Sequence, residues 1–180
     1  MTFRRPSRNL PPLDFEGLER LALAYVSRFA TSRARLGDYL SRKLGERGWA
    51  ENDRCGADAV ATLVERFATL GYVDDQALAE AKQRSLARKG YGARRLTVAL
   101  GALGIAGEDA ETARQQAQEG AWEAALRFAE RRRIGPFASA VPDDAARRRA
   151  FAAMMRAGHS PDCVKRILDR APGDVPSWDD

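Results

Sequence analysis

Two cysteines and one histidine are all that 180 residues contain of thiol and imidazole ligands. Cys55 and Cys163 stand far apart with no Cys-x-x-Cys spacing, so neither a disulfide framework nor a structural zinc site is expected. Both are read as ordinary reduced cysteines on helices. No run approaches the roughly 18 to 20 apolar residues of a membrane span. The N-terminus is basic but has no apolar segment behind it, which argues against a secretory signal. A cytoplasmic protein with no membrane partner is the expectation. Lysine is scarce as well, 4 against 26 arginines.

What remains is ordinary in apolar content, 44% hydrophobic, and rich in charge, 31%. The net charge of +5 and a pI near 9.6 point to polyanions or acidic protein surfaces as partners. Arginine's planar fork suits discrete contacts to phosphate or carboxylate better than diffuse charge does.

Residues 1–13 hold three prolines and three arginines without periodicity, and a disordered basic arm is expected there. From Asp14 the apolar residues fall at helical spacing. Leu18, Leu21, Ala22, Tyr25, Val26 and Phe29 form one stripe, and Leu36, Tyr39, Leu40 and Leu44 a second, ended by Gly48. A third helix starting at Asn52 or Asp53 carries Val60, Leu63, Val64, Phe67 and Leu70, ended by Gly71. The scheme then recurs. Leu40, Leu44, Gly48 and Trp49 correspond to Leu96, Leu100, Gly104 and Ile105 at a shift of 56, and to Ala150, Met154, Gly158 and His159 after a further 54. A period near 55 accommodates three helices. The expected fold is all-α, an elongated array of three tandem three-helix modules over 14–71, 72–119 and 120–170, with a disordered acidic tail at 171–180.

Asp74 and Asp75 are adjacent carboxylates at a helix start, where exposed amides and the positive dipole end explain them. With no histidine or third carboxylate nearby, capping is preferred to catalysis or metal binding, and no cofactor or metal is expected. The best binding candidate is the turn Lys89-Gly90-Tyr91-Gly92-Ala93-Arg94-Arg95, together with Arg84 and Arg88 one turn apart before it. Arg94 and Arg95 oppose the dipole of the helix they open, so helix stability does not account for them. The two glycines let backbone approach a partner, and five cations with Tyr91 suit phosphate or an acidic groove. No Walker-type ending follows, which argues against a nucleotide cradle. Arg42, Lys43 and Arg47 occupy the equivalent place in the first module. The triplets Arg131-Arg132-Arg133 and Arg147-Arg148-Arg149 fan out by about 100° per residue, so none can face one partner entirely. His159 is read as a packing residue at a helix stop.

These residues resemble the RecX family, modulators of the RecA recombinase. Ala24-Tyr25-Val26-Ser27-Arg28, continuing to Leu36, Lys43-Leu44 and Arg47-Gly48, is similar to that family's first motif. Gly71-Tyr72-Val73-Asp74-Asp75 with Ala79, then Lys89-Gly90-Tyr91-Gly92 and Leu100 to Gly104-Ile105, resembles its central and most specific one. Arg156-Ala157-Gly158-His159-Ser160 resembles its closing element, and the match spans roughly 18–170. Leu78 and His159 stand where that family usually has Phe, and Ala157 where it has Arg. The resemblance implies a non-enzymatic protein lying in the groove of the RecA filament on single-stranded DNA. There it would suppress ATP hydrolysis, strand exchange and co-protease function. Arg84, Arg88, Lys89, Tyr91, Arg94, Arg95, Arg42, Lys43 and Arg47 are the expected contacts of a monomer with the filament, or with single- or double-stranded DNA. Two alternatives stay open: a sequence-tolerant DNA binder built from helix-turn-helix-like modules, and a generic helical scaffold.

Overall fold

The computed structural model describes residues 11–176. Among these, nine α-helices and one short 3-10 helix supply the regular structure, and the fold class is all-α. None of these helices is long and apolar enough to cross a membrane. The chain divides into two compact units, the first ending at Asp74 and the second beginning at Asp75.

In the first unit, α1 (Phe15–Val26), α2 (Arg33–Arg47) and α3 (Gly56–Thr69) enclose Leu18, Leu36, Leu40, Leu63 and Phe67. The Asp14 carboxylate accepts from the Gly17 amide and so satisfies one of the donors α1 leaves open at its start. The stripe of α1 is shorter than its spacing predicts: the helix ends at Val26, and Phe29 is 56% exposed. Ser32 caps α2, its hydroxyl accepting from the Arg35 amide. The helix stops at Gly48, whose φ of +81° is open to glycine and costly for other residues. The third helix starts at Gly56 rather than at Asn52 or Asp53. One local and one long-range bond tie down the intervening chain. The Trp49 indole donates to the Arg54 carbonyl at 2.8 Å, and the Glu51 carboxylate accepts from the Phe15 amide at 2.8 Å. The end of the expected N-terminal arm is fixed too. Leu13 is 1% exposed, its amide donates to Gly48 and its carbonyl accepts from Ala50. The rest of that arm, residues 1–10, lies outside the described residues.

The second unit holds two cores. Leu96, Leu100 and Ile105 fill the first, between α4 (Asp75–Arg88), α5 (Ala93–Gly101) and α6 (Glu108–Glu119). Ala79, Ala110 and Ala113 let α4 and α6 approach closely. The second core packs Leu126, Phe128, Met154, Val164 and Ile167 between α7 (Ala121–Arg132), a 3-10 turn at Gly135–Phe137, α8 (Asp144–Arg156) and α9 (Pro161–Leu168). Ser160 caps α9 ahead of its first-position proline, the hydroxyl accepting from the Cys163 amide. Burial pushes the Cys163 thiol up from its ordinary value, although Arg166 pulls the other way. Past α9 the chain turns back on the 3-10 turn: the Gly173 amide donates to the Pro136 carbonyl at 2.8 Å, and Pro176 is buried. The remainder of the expected acidic tail, 177–180, lies outside the described residues.

The two bundles of this unit meet backbone to backbone. Gly92 donates its amide to the Ala157 carbonyl at 3.0 Å, and the Arg94 amide donates to the Gly158 carbonyl at 3.2 Å. A Cβ on Gly92 would lie 2.3 Å from the Gly158 oxygen, and one on Gly158 would lie 2.5 Å from the Arg95 main-chain nitrogen. Gly90 presses equally close against α7, where its Cβ would meet the Phe128 nitrogen at 2.7 Å. His159 closes the joint. It is 2% exposed, its Nε2 stands 3.1 Å from the Gly90 carbonyl, and Phe128 tilts over its ring at 5.6 Å. Since a carbonyl only accepts, Nε2 carries the proton and the ring is held as that neutral tautomer.

The tightness of this joint sets the cost of altering it. Gly92→Ala should destabilise the protein by about 1–3 kcal/mol, because the obstructing atoms are backbone and cannot swing aside. Gly101→Ala on α5 is the matched control. Nothing lies within 4 Å of its Cβ, so it should be neutral or stabilising by up to about 1 kcal/mol. Chemical denaturation of both variants checks the pair. Desolvation by burial holds the His159 pKa below its ordinary 6.5, outweighing the Gly90 hydrogen bond that raises it. The unfolded chain then binds a proton that the folded chain refuses. Stability from this group is present above pH 6.5 and is lost as pH falls below that value. Thermal melts from pH 7.5 to 5 should show the midpoint dropping, and the drop should be shallower in His159→Phe, whose overall midpoint is lower.

Candidate functional site

The structure brings Arg84, Arg88, Lys89, Tyr91, Arg94 and Arg95 together in the second unit, around the turn between α4 and α5. The turn's two glycines do allow a close approach, but to the chain's own α7 and to its own 157–158 backbone. That finding recasts Arg94 and Arg95. Helix α5 has no side-chain cap at Gly92, and one of its first-turn donors, the Arg94 amide, is met instead by the Gly158 carbonyl. The helix start is stabilised from the neighbouring bundle, which offsets the unfavourable placement of two cations near the dipole's positive end.

Each cation has a distinct setting. Arg84 is ion-paired to Glu80 one turn back at 3.4 Å. Arg88 and Lys89 stand at the end of α4, and the Lys89 carbonyl accepts from Arg131 at 2.9 Å. Arg95 lies over the half-buried Tyr91 ring, 5.6 Å from its centroid, and Tyr91 in turn tilts against Phe128 at 6.4 Å. Arg94 is exposed and has no ion-pair partner among the described residues. The arrangement presents guanidinium and ammonium groups on a turn whose backbone is clamped, a setting that limits the entropy lost when an anionic partner binds. Asp75 is buried in the first turn of α4 and Asp74 is exposed just ahead of it. No group of three His, Cys, Asp or Glu side chains suited to a metal ion occurs among the described residues.

Arg42, Lys43 and Arg47 belong to the first unit, on α2. Glu46 accepts from Arg42 at 3.1 Å and from Lys43 at 2.6 Å. The Lys43 bond, ahead of the weaker pull of Arg42, holds the Glu46 carboxyl below its ordinary range. Arg42 also lies over the Tyr39 ring at 5.6 Å. Arg47 is committed inward, with Nε and a terminal nitrogen donating to the Pro11 carbonyl at 2.9 and 2.7 Å. These three cations are less available than their spacing alone implies.

Arg131 is the participant that sequence reasoning missed. Spacing makes it one of a fanned triplet, whereas it reaches back 42 residues to tie α7 to the end of α4. A helix C-terminus ending in an unsatisfied carbonyl is the signal that calls for such a donor, but nothing in the local pattern says which arginine answers it. Arg147 does the same at α9, donating to the Leu168 carbonyl at 2.6 Å and pairing with Asp169.

A family model described as the second three-helix domain of RecX matches residues 74–113, which span α4, the clamped turn, α5 and the first half of α6. The regulatory protein RecX of Myxococcus xanthus is 31% identical over 169 residues, covering 86% of each protein. That of Agrobacterium fabrum is 32% identical over 151 residues, covering 82% of this chain and 79% of its own. Among solved structures, RecX from Lactobacillus salivarius superposes with a TM-score of 0.66 at 20% identity, over 86% of this chain and 96% of that one. A second crystal structure of a regulatory protein RecX gives 0.64 at 17% identity, over 87% and 73%. At these low identities the structures speak for the fold, while the two sequence relatives reach across nearly the whole length; the chain belongs to the RecX family of regulatory proteins.

Proposed function

We propose that this protein is a negative regulator of the RecA recombinase, binding in the groove of the RecA filament on single-stranded DNA and inhibiting its ATP hydrolysis, strand exchange and co-protease activity. Membership of the RecX family across 86% of the chain is the observation that carries the reading. It acts in the cytoplasm as a monomer that needs no cofactor and performs no catalysis of its own. Three physical features support it. Arg88, Lys89 and Arg94 flank a turn held rigid by the joint to α8 and α9. Weak contacts on separate bundles, among them Arg42, Lys43 and Arg47, add through linkage when one chain engages several sites of a polymer. The net charge of +5 speeds encounter with a DNA-containing assembly.

A second reading, direct binding to DNA, is favoured by the same exposed cations, since phosphate is read by such groups irrespective of sequence. The two differ in what they require. Titration into a RecA ATPase assay with DNA saturating should lower the rate, and filaments should retain the protein in a pull-down with ATP present. No effect of the folded protein on ATPase would end the first reading. Tight binding to bare DNA without RecA, falling steeply with salt, would put the second in its place. Arg94→Glu with Arg95→Glu should weaken inhibition by about 1–3 kcal/mol for each charged interaction removed. Truncating Arg42 and Lys43 to Ala should cost less, because Glu46 already engages both. Inhibition unchanged by the α5 reversal would move the interface away from this turn.

A further inference from the structure

A run of planar groups crosses the first unit from the end of α1 to the last turns of α2. Tyr25 and Tyr39 lie ring on ring, their centroids 4.2 Å apart and their planes inclined by 12°. Phe29 extends the run at one end, 5.4 Å from Tyr25. At the other end the Arg42 guanidinium lies over Tyr39 at 5.6 Å.

Only the inner part of this run serves the core. Both tyrosines are half-buried and pack against the residues enclosed by α1, α2 and α3. Phe29 stands past the end of α1 and is 56% exposed. The amides of Arg28 and Phe29 both donate to the Tyr25 carbonyl at 3.1 Å, so the chain between the two rings is held in a turn. The outer face of a ring fixed in this way contributes nothing to the fold while water covers it.

The surrounding charge says what could cover it. Residues 28–43 hold five cations, Arg28, Arg33, Arg35, Arg42 and Lys43, against the single carboxylate of Asp38. Glu65 and Glu46 engage three of the five. Arg28, next to the open ring, is exposed and has no ion-pair partner among the described residues. A purely apolar partner would leave these cations unmatched. An unpaired nucleotide matches both features, because every base offers a flat face and its phosphate offers the negative charge. A duplex does not, since stacking on its neighbours covers both faces of each paired base.

We propose that this face binds single-stranded nucleic acid, with one unpaired base stacked on Phe29 and an adjoining phosphate against Arg28. Tyr25 and Tyr39 back the ring and hold it before the ligand arrives, which limits the side-chain freedom lost on binding. The strand is taken by base face and charge, without regard to sequence. The inference rests on the first unit alone. It needs neither RecA nor the cations between α4 and α5, and it goes beyond the direct DNA reading, which concerns phosphate only.

The test measures binding of the full chain to two fluorescein-labelled strands of about twelve nucleotides at one salt concentration. One is oligothymidylate, the other an abasic strand of equal length and charge. Fluorescence anisotropy should give oligothymidylate an advantage of about 10-fold, the effect of one stacked base. Phe29→Ala should bring the two affinities together, and so should Phe29→Leu, which keeps an apolar side chain but no ring. Phe29→Trp should keep or enlarge the advantage. Leu23→Ala, at an exposed position about 200° around α1 from Tyr25, should leave it unchanged. Arg28→Glu should weaken binding of both strands alike, as loss of a phosphate contact does. Reversal of Arg94 and Arg95 should leave the advantage standing, which separates this site from the turn. Oligouridylate should show the same dependence on Phe29, and a dependence confined to one sugar would overturn recognition through base faces alone. Equal affinity of the native chain for both labelled strands overturns the proposal. An advantage that survives both Phe29→Ala and Phe29→Leu overturns it as well.

Discussion

The backbone of residues 90–94 lies against the backbone of 157–159 with no room for a side chain between them. Glycine at 92 and 158 is the condition for that approach, since at each a Cβ would come within about 2.3 to 2.5 Å of main-chain atoms across the joint, while Gly90 is pressed as closely against α7. What the approach achieves is mutual completion. Helix α5 begins without a side-chain cap and α8 ends in open carbonyls, and the two deficits cancel as Gly92 and Arg94 donate to Ala157 and Gly158. His159, buried beneath, satisfies the Gly90 carbonyl in turn. The second and third bundles are thus joined by main-chain hydrogen bonds as well as by apolar packing, and the cations of the turn inherit the rigidity of that joint.

The arginines divide into two populations with different physical work. One group serves the fold. Arg47, Arg131 and Arg147 each reach across tens of residues to a main-chain carbonyl, the last two at helix ends where acceptors face the negative end of the dipole. The other group, among them Arg94, Arg133 and Arg149, is exposed and without an ion pair among the described residues. A planar fork with five donors suits both uses, which is why composition alone does not separate them. Surface pairs such as Arg84 with Glu80, or Arg42 with Glu46, sit between the two populations and contribute little to stability.

Much of the fold is legible because apolar spacing is a local signal. The stripes ending at Gly48, Gly71, Gly104 and Gly158 are helices, and each of those glycines adopts a left-handed φ. His159 is legible too, through its place in the repeat opposite Trp49 and Ile105. Sequence reading fails where distant contacts decide. The start of α3 is Gly56, after a segment in which Glu51 is held by the distant Phe15 amide, and Phe29 leaves its stripe because α1 ends at Val26. Leu13 falls within the expected arm but fills the first core, held by Gly48 from across the bundle. For the site, the residues that cluster around the turn are readable. That the glycines face inward, and that Arg131 joins from α7, depends on the third bundle's position, which no local pattern encodes.

The proposed binding surface, built on a joint between bundles, needs that joint to stay closed in solution. Native-state amide hydrogen exchange at Gly92 and Arg94 measures this directly. Both amides sit in a turn that would exchange at nearly the intrinsic rate if it were free. With the joint closed, their protection should equal that of core amides such as Leu100 and Val164, reporting opening of the whole unit. Exchange at the rate of an open loop, while those core amides remain protected, would show that the bundles part independently and that the cationic turn is not held by the fold.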